Sequence, residues 1–493
     1  MRVRFSPLPL VPLSLAALAA CAPQESPPPP EAPPVLTPPV MEEPTDPPPM
    51  LPPPYVPPTL EGLSVLEDKN PDPNIVEVDL VAGVAKRTFF GDIQVNLYAF
   101  NGQLPGPSLQ AKVGDEVIVH FRNDLPEPTT IHWHGLRIPA DMDGSPLIQT
   151  PVQPGETFNY HFVVPEAGAF WYHPHVRANE QIEKGLYGPI VVHEPSDPVF
   201  DHERYFMIDD ILLSDTGMPP FLQSGMEAMH GRNGNVLLTN WDTETVKLQV
   251  EAGTVERWRV VNTANARTME LSIAGASWKI VGTDGGRIPE HYTPARLVVP
   301  VGQRYDLEVR YDGPGTTTMS SHVLTQNSQG QVVEAAIPIV EVEIAASARE
   351  PTPIRWSELA PRPERAPDAD ATMVLNAVND PVMGLMWTIN GQSHAHEPLF
   401  TFTRGQTVKM QFVNRAGPEH PFHLHGQFFE ILTIDGRPAR EPGLKDVVLV
   451  PGLTTVEVLA YFDNPGRWMA HCHILEHAEL GMMTEIEVAA ENH

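Results

Sequence analysis

Gly466-Arg467-Trp468-Met469-Ala470-His471-Cys472-His473 runs on through Ile474-Leu475-Glu476-His477 to Met482. The same frame stands far upstream as Gly168-Ala169-Phe170-Trp171-Tyr172-His173-Pro174-His175. Both read G-x-aromatic-x-x-H-x-H, so one strand-bearing module occurs at least twice. Successive side chains of a strand point to opposite faces. His471 and His473 then face one way and Cys472 the other. Cys472, His477 and Met482 have the spacing C-x4-H-x4-M, and thiolate, imidazole and a weak thioether are the ligands of a blue electron-transfer copper. The upstream copy has Pro174 at the cysteine position, so that module cannot hold such a site of its own.

Three further H-x-H pairs are His132-Trp133-His134, His173-Pro174-His175 and His423-Leu424-His425, and His420 closely precedes the last. One pair in a strand is weak evidence of a metal. Four pairs beside a C-x4-H-x4-M have no comfortable reading as ordinary packing, because eight clustered imidazoles would leave many buried nitrogens in need of partners. The simplest arrangement sets the first and third modules face to face with the eight histidines between them. The middle module has no H-x-H, and it is expected to act as spacer and scaffold.

The rest of the chain repeats in the same way. Leu109 to Val119, Leu248 to Val260 and Phe400 to Phe412 each alternate apolar residues around a glycine turn, then reach Asn123, Asn262 and Asn414. Thr150 to Phe162, Val298 to Val309 and Leu449 to Val458 form a second recurring element. Period-2 alternation with Pro-Gly turns indicates strands, and long helical periodicity is largely missing. An all-β chain of three tandem β-sandwich domains follows. The expected organisation is a signal peptide at 1–20, a proline-rich disordered tether at 21–66, and domain 1 at 67–196. Domain 2 follows at 197–347, and a linker with domain 3 at 348–493.

Net charge is -30, with 62 acidic against 32 basic residues, which argues against nucleic acid as a partner. The N-terminus has a basic start and a short apolar run ending Leu18-Ala19-Ala20-Cys21, the form of an export signal. That apolar run is too short to span a bilayer. Its last residues resemble a bacterial lipoprotein cleavage box, which implies diacylation of Cys21; an ordinary signal peptide cut near Ala20 is the alternative. The following segment is dense in proline and glutamate and cannot bury a core. With Cys21 lipidated and Cys472 on copper, neither of the two cysteines is left for a disulfide. The expected location is periplasmic or at the cell surface, touching the membrane only through the lipid. The oligomeric state is left open, a monomer being favoured.

On these motifs the chain resembles the three-domain multicopper oxidases, the bacterial laccases and copper-efflux oxidases, over roughly residues 67–490. The resemblance implies three tandem cupredoxin-like Greek-key β-sandwich or barrel domains and four copper ions. Cys472, His420 and His477 match the type 1 ligands, with Met482 as weak axial ligand. His132 and His423 match the type 2 ligands, and His134, His173, His175, His425, His471 and His473 the type 3 pair. The implied reaction couples one-electron oxidation of small donors to the four-electron reduction of O2 to water. It consumes protons, so an acid beside the cluster is expected. Asp143 holds the matching position, and Asp141 is the less favoured neighbour. Relatives often carry Glu directly after the type 1 histidine. This chain has Ala478 there and Glu479 next, so Glu479 or a water chain is the substitute.

The donor is the open question. Phenols and aromatic amines suit a laccase, whereas Cu(I) or Fe(II) suits a metal-ion oxidase, and soft thioethers favour Cu(I). Met218, Met226, Met229 and His230 lie in a loop-like stretch of the middle module, Met383 and Met386 precede Trp387, and His394 and His396 follow it. Methionines usually fill gaps in cores. The long Met- and His-rich insert of dedicated copper-efflux oxidases is missing, which favours the laccase reading. A copper-free structural relative would show lost ligands, and none is lost here.

Overall fold

The computed structural model describes residues 58–326, 331–360, 365–395 and 397–490. The signal peptide, Cys21, most of the tether and His396 lie outside the described residues.

Each of the three repeated modules folds into two facing sheets, as the period-2 patterning dictates. In domain 1 one sheet has strands Gln94–Phe100, Ile75–Thr88, Glu116–Asn123 and Thr157–Val163, in that order. The other has Leu109–Lys112, Gly188–His193, Gly168–His173 and His132–His134. Domain 3 repeats this plan. Its site-bearing sheet runs Pro398–Thr403, Met483–Ala489, Gly466–Cys472, His420–Leu424 and Val447–Val450. Domain 2 has a five-stranded sheet and six strands of a seven-stranded one, whose remaining strand is Leu60–Glu61. Each sandwich encloses its own apolar core, around Trp133 and Tyr160 in domain 1, Trp258 and Leu307 in domain 2, and Phe412 and Trp468 in domain 3. A fourth apolar cluster, with Trp171, Tyr187 and Trp241, joins domains 1 and 2.

Register places the motifs. His132 pairs with His173 across an antiparallel ladder in domain 1, and His423 pairs with His471 in the same way in domain 3. The repeated G-x-aromatic-x-x-H-x-H run is thus the inner neighbour of an H-x-H strand in both domains. Beyond Cys472 the chain turns into the short helix Leu475–Glu479, which carries His477. Gly481, at φ 113°, then reverses the chain. A Cβ there would meet the Trp387 carbonyl at 2.8 Å, so only glycine lets Met482 return beneath the thiolate strand.

Two expectations need correction. The tether does not extend to residue 66. Leu60–Glu61 pairs in parallel with Glu203–Arg204, and Leu60 and Leu66 are buried in apolar clusters. The methionine stretch of the middle module is not simply loop, because Gly225–His230 forms helix α1, its N-terminal end capped by Ser224 Oγ accepting from the Glu227 amide at 3.0 Å.

Candidate metal centres

The end of the Gly466–Cys472 strand and the residues that follow it feed two clusters on opposite faces. On one face Cys472 Sγ lies 3.4 Å from His420 Nδ1 and 3.6 Å from His477 Nδ1, and the two nitrogens are 3.1 Å apart. All three side chains are buried. Three donor atoms at such mutual distances surround one point, as ligands of one ion do. The backbone closes the site: the Cys472 amide donates to the Met482 carbonyl at 3.1 Å, and the Met482 amide to the His477 carbonyl at 2.9 Å. Met482 is fully buried in the same apolar cluster as Cys472. Burial pushes the Cys472 thiol well above its ordinary range. It lowers His420 to about 3 and His477 well below the usual value. The imidazoles therefore offer lone pairs at neutral pH, and the thiol must release its proton when a metal binds.

On the other face eight histidines meet between domains 1 and 3. His134, His173 and His473 form one compact group, His175, His425 and His471 a second, and His132 lies with His423. The arrangement has an approximate two-fold. His132 stacks on His425 and His134 on His423, each with ring centroids 3.9 Å apart. The Nδ1–H groups of His132, His173, His423 and His471 donate to the carbonyls of Asp143, Pro174, Asp446 and Cys472 at 2.9 to 3.0 Å. Those bonds set the tautomer and leave Nε2 free to ligate. Burial and then mutual repulsion hold His134, His175 and His423 far below the ordinary range, and burial first brings His425 to about 4 and His473 to about 3.

Copper fits this donor set on its own terms. His132 Nε2, His175 Nε2, His423 Nε2 and both nitrogens of His473 are buried without a hydrogen-bond partner. Each such orphan costs about 1–3 kcal/mol, so the cluster is unfavourable unless ions take the lone pairs.

The acids separate clearly. Asp143 is 1% exposed. Its Oδ2 accepts from His425 Nδ1 at 2.8 Å, while its Oδ1 lies 3.2 Å from His132 Nδ1. Burial works to raise its pKa, but His425 and His132 more than offset this and hold the carboxyl well below the usual range. Asp141 lies exposed on the short turn before it. Glu479 is also exposed, though partial burial pushes its carboxyl up against the pull of Arg177, with Glu180 adding to the rise, and Ala478 is buried. Asp446 went unnoticed in the sequence, yet it is the two-fold counterpart of Asp143. Its Oδ1 accepts from His134 Nε2 at 3.2 Å and its carbonyl from His423 Nδ1. Burial pushes its carboxyl up to about 6 despite Arg304 beside it. The repeat could have flagged it only weakly, since Asp143 follows its H-x-H-G far more closely than Asp446 does.

Protein covers the thiolate centre from outside. The Trp387 ring lies 4.1 Å from His477 and 5.0 Å from His420, and Trp387 Nε1 donates to Ala228 O at 2.9 Å. His477 Nε2 donates to the Met229 carbonyl of α1 at 3.1 Å. Met226, on the same short helix as Met229, is 68% exposed, and Met383, just before the strand that carries Trp387, is 70% exposed.

Residues 83–197, 213–338 and 365–492 each match a multicopper oxidase family profile. A multicopper oxidase of Mycobacterium tuberculosis is 27% identical, the match spanning 80% of this chain and 83% of that protein. Among solved structures, a multicopper oxidase from Pseudomonas thermotolerans is 30% identical with a TM-score of 0.73, covering 84% of this chain and 99% of that one. Another from Campylobacter jejuni, described as a metallo-oxidase, is 26% identical with a TM-score of 0.78, covering 88% and 95%.

Proposed function

The chain belongs to the multicopper oxidases, and from that premise we propose that electrons enter at Cys472, His420 and His477 and are delivered through His471 and His473 to the eight-histidine site. The protein is a laccase-type oxidase that couples one-electron oxidation of phenolic, aromatic or metal-ion donors to reduction of O2. Four donors yield four electrons, which with four protons convert one O2 to two waters. Four bound copper ions supply the redox steps and the oxygen site. The observation that carries the electron route is the single strand end where Cys472 faces one donor cluster and its two neighbours face the other.

The chain's own residues supply the rest. Asp143 holds His132 and His425 in position and, as a buried carboxylate, relays protons to the oxygen side. The surface position of Glu479 favours Asp143 over it. Carbonyls from Pro174, Asp446 and Cys472 orient three further rings. Burial of the whole cluster excludes bulk water, which limits release of partly reduced oxygen.

A metal-ion donor is the second reading, and the cover over His477 favours it. The ring edge donates to Met229 O, so a phenol cannot reach that nitrogen without displacing α1, whereas the exposed Met226 and Met383 suit a soft cation. Export with a lipid on Cys21 is proposed from the leader pattern. The deciding experiment compares oxygen uptake by the copper-loaded protein on a phenol, Cu(I) and Fe(II). Phenol turnover well above that on either ion supports the laccase reading, and the reverse order supports the metal-ion reading. Absence of uptake on all three sinks both.

A further inference from the structure

Among the described residues domain 2 contributes no histidine to the two centres described above, yet one of its turns touches the oxygen side. At Gly302, φ 84°, a Cβ would lie 3.0 Å from His134 Cε1 and 3.0 Å from His473 Cδ2. Two residues on, Arg304 is completely buried. Its Nη1 and Nη2 donate to Asp446 Oδ1 and Oδ2 at 2.6 and 2.7 Å. Its Nε donates to the Ala169 carbonyl of domain 1 at 3.1 Å. Asp284, also of domain 2, accepts from the Arg304 amide at 2.8 Å and from the Asp446 and Val447 amides at 3.4 and 3.3 Å. Domain 2 therefore holds Asp446 by both its carboxylate and its main chain. Asp446 in turn meets His134 through Oδ1 and His423 through its carbonyl. The counterpart Asp143 has ion pairs only with His132 and His425 among the described residues.

We infer that Arg304 is a positioning residue for the eight-histidine site: its two-pronged grip on the Asp446 carboxylate orients His134, and with Asp284 on the Asp446 main chain it steadies His423, so the domain without ligands sets the geometry of the oxygen centre. The guanidinium is suited to this because its planar fork fixes both carboxylate oxygens, and a lysine ammonium would fix only one. A charge at this place is not needed merely to join domains, since buried ion pairs add little net stability over apolar packing. What the pair adds is direction. With one oxygen released, the Asp446 carboxylate can rotate about its χ2 and carry its acceptor away from His134 Nε2. The two aspartates then divide the work, Asp446 clamped as an anchor and Asp143 left without a cation beside it.

This rests on reading the eight histidines as the oxygen-reducing copper site. The test uses the full copper-loaded chain as parent, Arg304→Lys and Arg304→Gln. Three quantities are measured: copper retained against a chelator, the electron paramagnetic resonance of the non-blue copper, and KM for O2 against KM for the donor. Loss of outer-shell partners lowers metal affinity or activity about 10–100-fold. The expected result for Arg304→Lys is that loss at the non-blue copper, with an altered resonance and a raised KM for O2. The blue band and donor KM stay at parent values. Arg304→Gln should show the same pattern more strongly. Parent-like retention and resonance in Arg304→Lys overturn the inference. So does equal loss at both centres, or failure of both variants to fold, since Arg304 would then be a latch between domains. A parent that binds no non-blue copper defeats the underlying reading instead.

Discussion

Replacing Asp143 by Asn removes a charge and changes almost nothing in shape. The Asn oxygen can still accept from His425 Nδ1, where the carboxylate now does so at 2.8 Å, and the main-chain carbonyl still accepts from His132. All four coppers and the blue band should therefore remain, and the donor should reduce the blue centre at the parent rate. The oxygen side should slow. Weakening one charge-assisted hydrogen bond costs about 1.5–3 kcal/mol, or roughly 10- to 150-fold if orientation were the only loss. Loss of an acid-base group costs about 10²–10⁴-fold. Slowing beyond about 150-fold with full copper content thus needs a proton role. The two contributions also differ in pH dependence. Misorientation is insensitive to pH, whereas a missing relay matters less as pH falls and bulk protons compete. The assay reduces the enzyme without oxygen, mixes it with O2 in stopped flow, and follows return of the blue band from pH 5 to 8. An Asn variant that reoxidises like the parent across that range would refute the reasoning. A constant slowing of less than about 150-fold leaves Asp143 as an orienting group only.

Cys472→Ser should abolish the intense visible absorption and turnover while the eight-histidine site still takes up copper, checked by absorbance and metal analysis; an equally blue variant rules out the thiolate centre. Glu183 is buried, and its carboxyl is raised from 4.5 to about 8, by burial first and by Asp210 and Glu476 in addition, against the pull of Arg232. A raised folded value means that its contribution is fully present below about 4.5 and is lost as pH rises through about 8. Glu183→Gln should accordingly flatten the fall in melting temperature across that window, and an unchanged slope would show that Glu183 is not responsible. Deleting residues 1–57 should leave turnover near normal. Deleting through residue 66 removes Leu60 and Leu66 from their clusters, which should cost about 3–6 kcal/mol and lower the melting temperature by several degrees.

Much of this protein was legible from short-range order in its chain. Period-2 alternation and repeated Gly turns determine sandwich domains, because a strand must bury one face whatever lies far away in sequence. The ligand motifs were legible for a related reason. Alternation across a strand is a local property, so H-C-H declares two opposite faces before anything folds. Asp143 was reached instead through the resemblance, by its matching position behind the H-x-H-G, with Asp141 as the less favoured neighbour. What only the tertiary structure decided involves partners far apart in the chain. Asp446 reads as an unremarkable acid after Lys445, and Arg304 as one more basic residue in a strand. Their meeting spans 142 positions and a domain boundary, and it exists only because three sandwiches pack together. The same packing turned Glu479 toward solvent, drew residues 60–66 onto the body, and laid α1 over His477. Local sequence carries the faces of strands, and the burial of charge at an interface depends on the shapes of all the domains that form it.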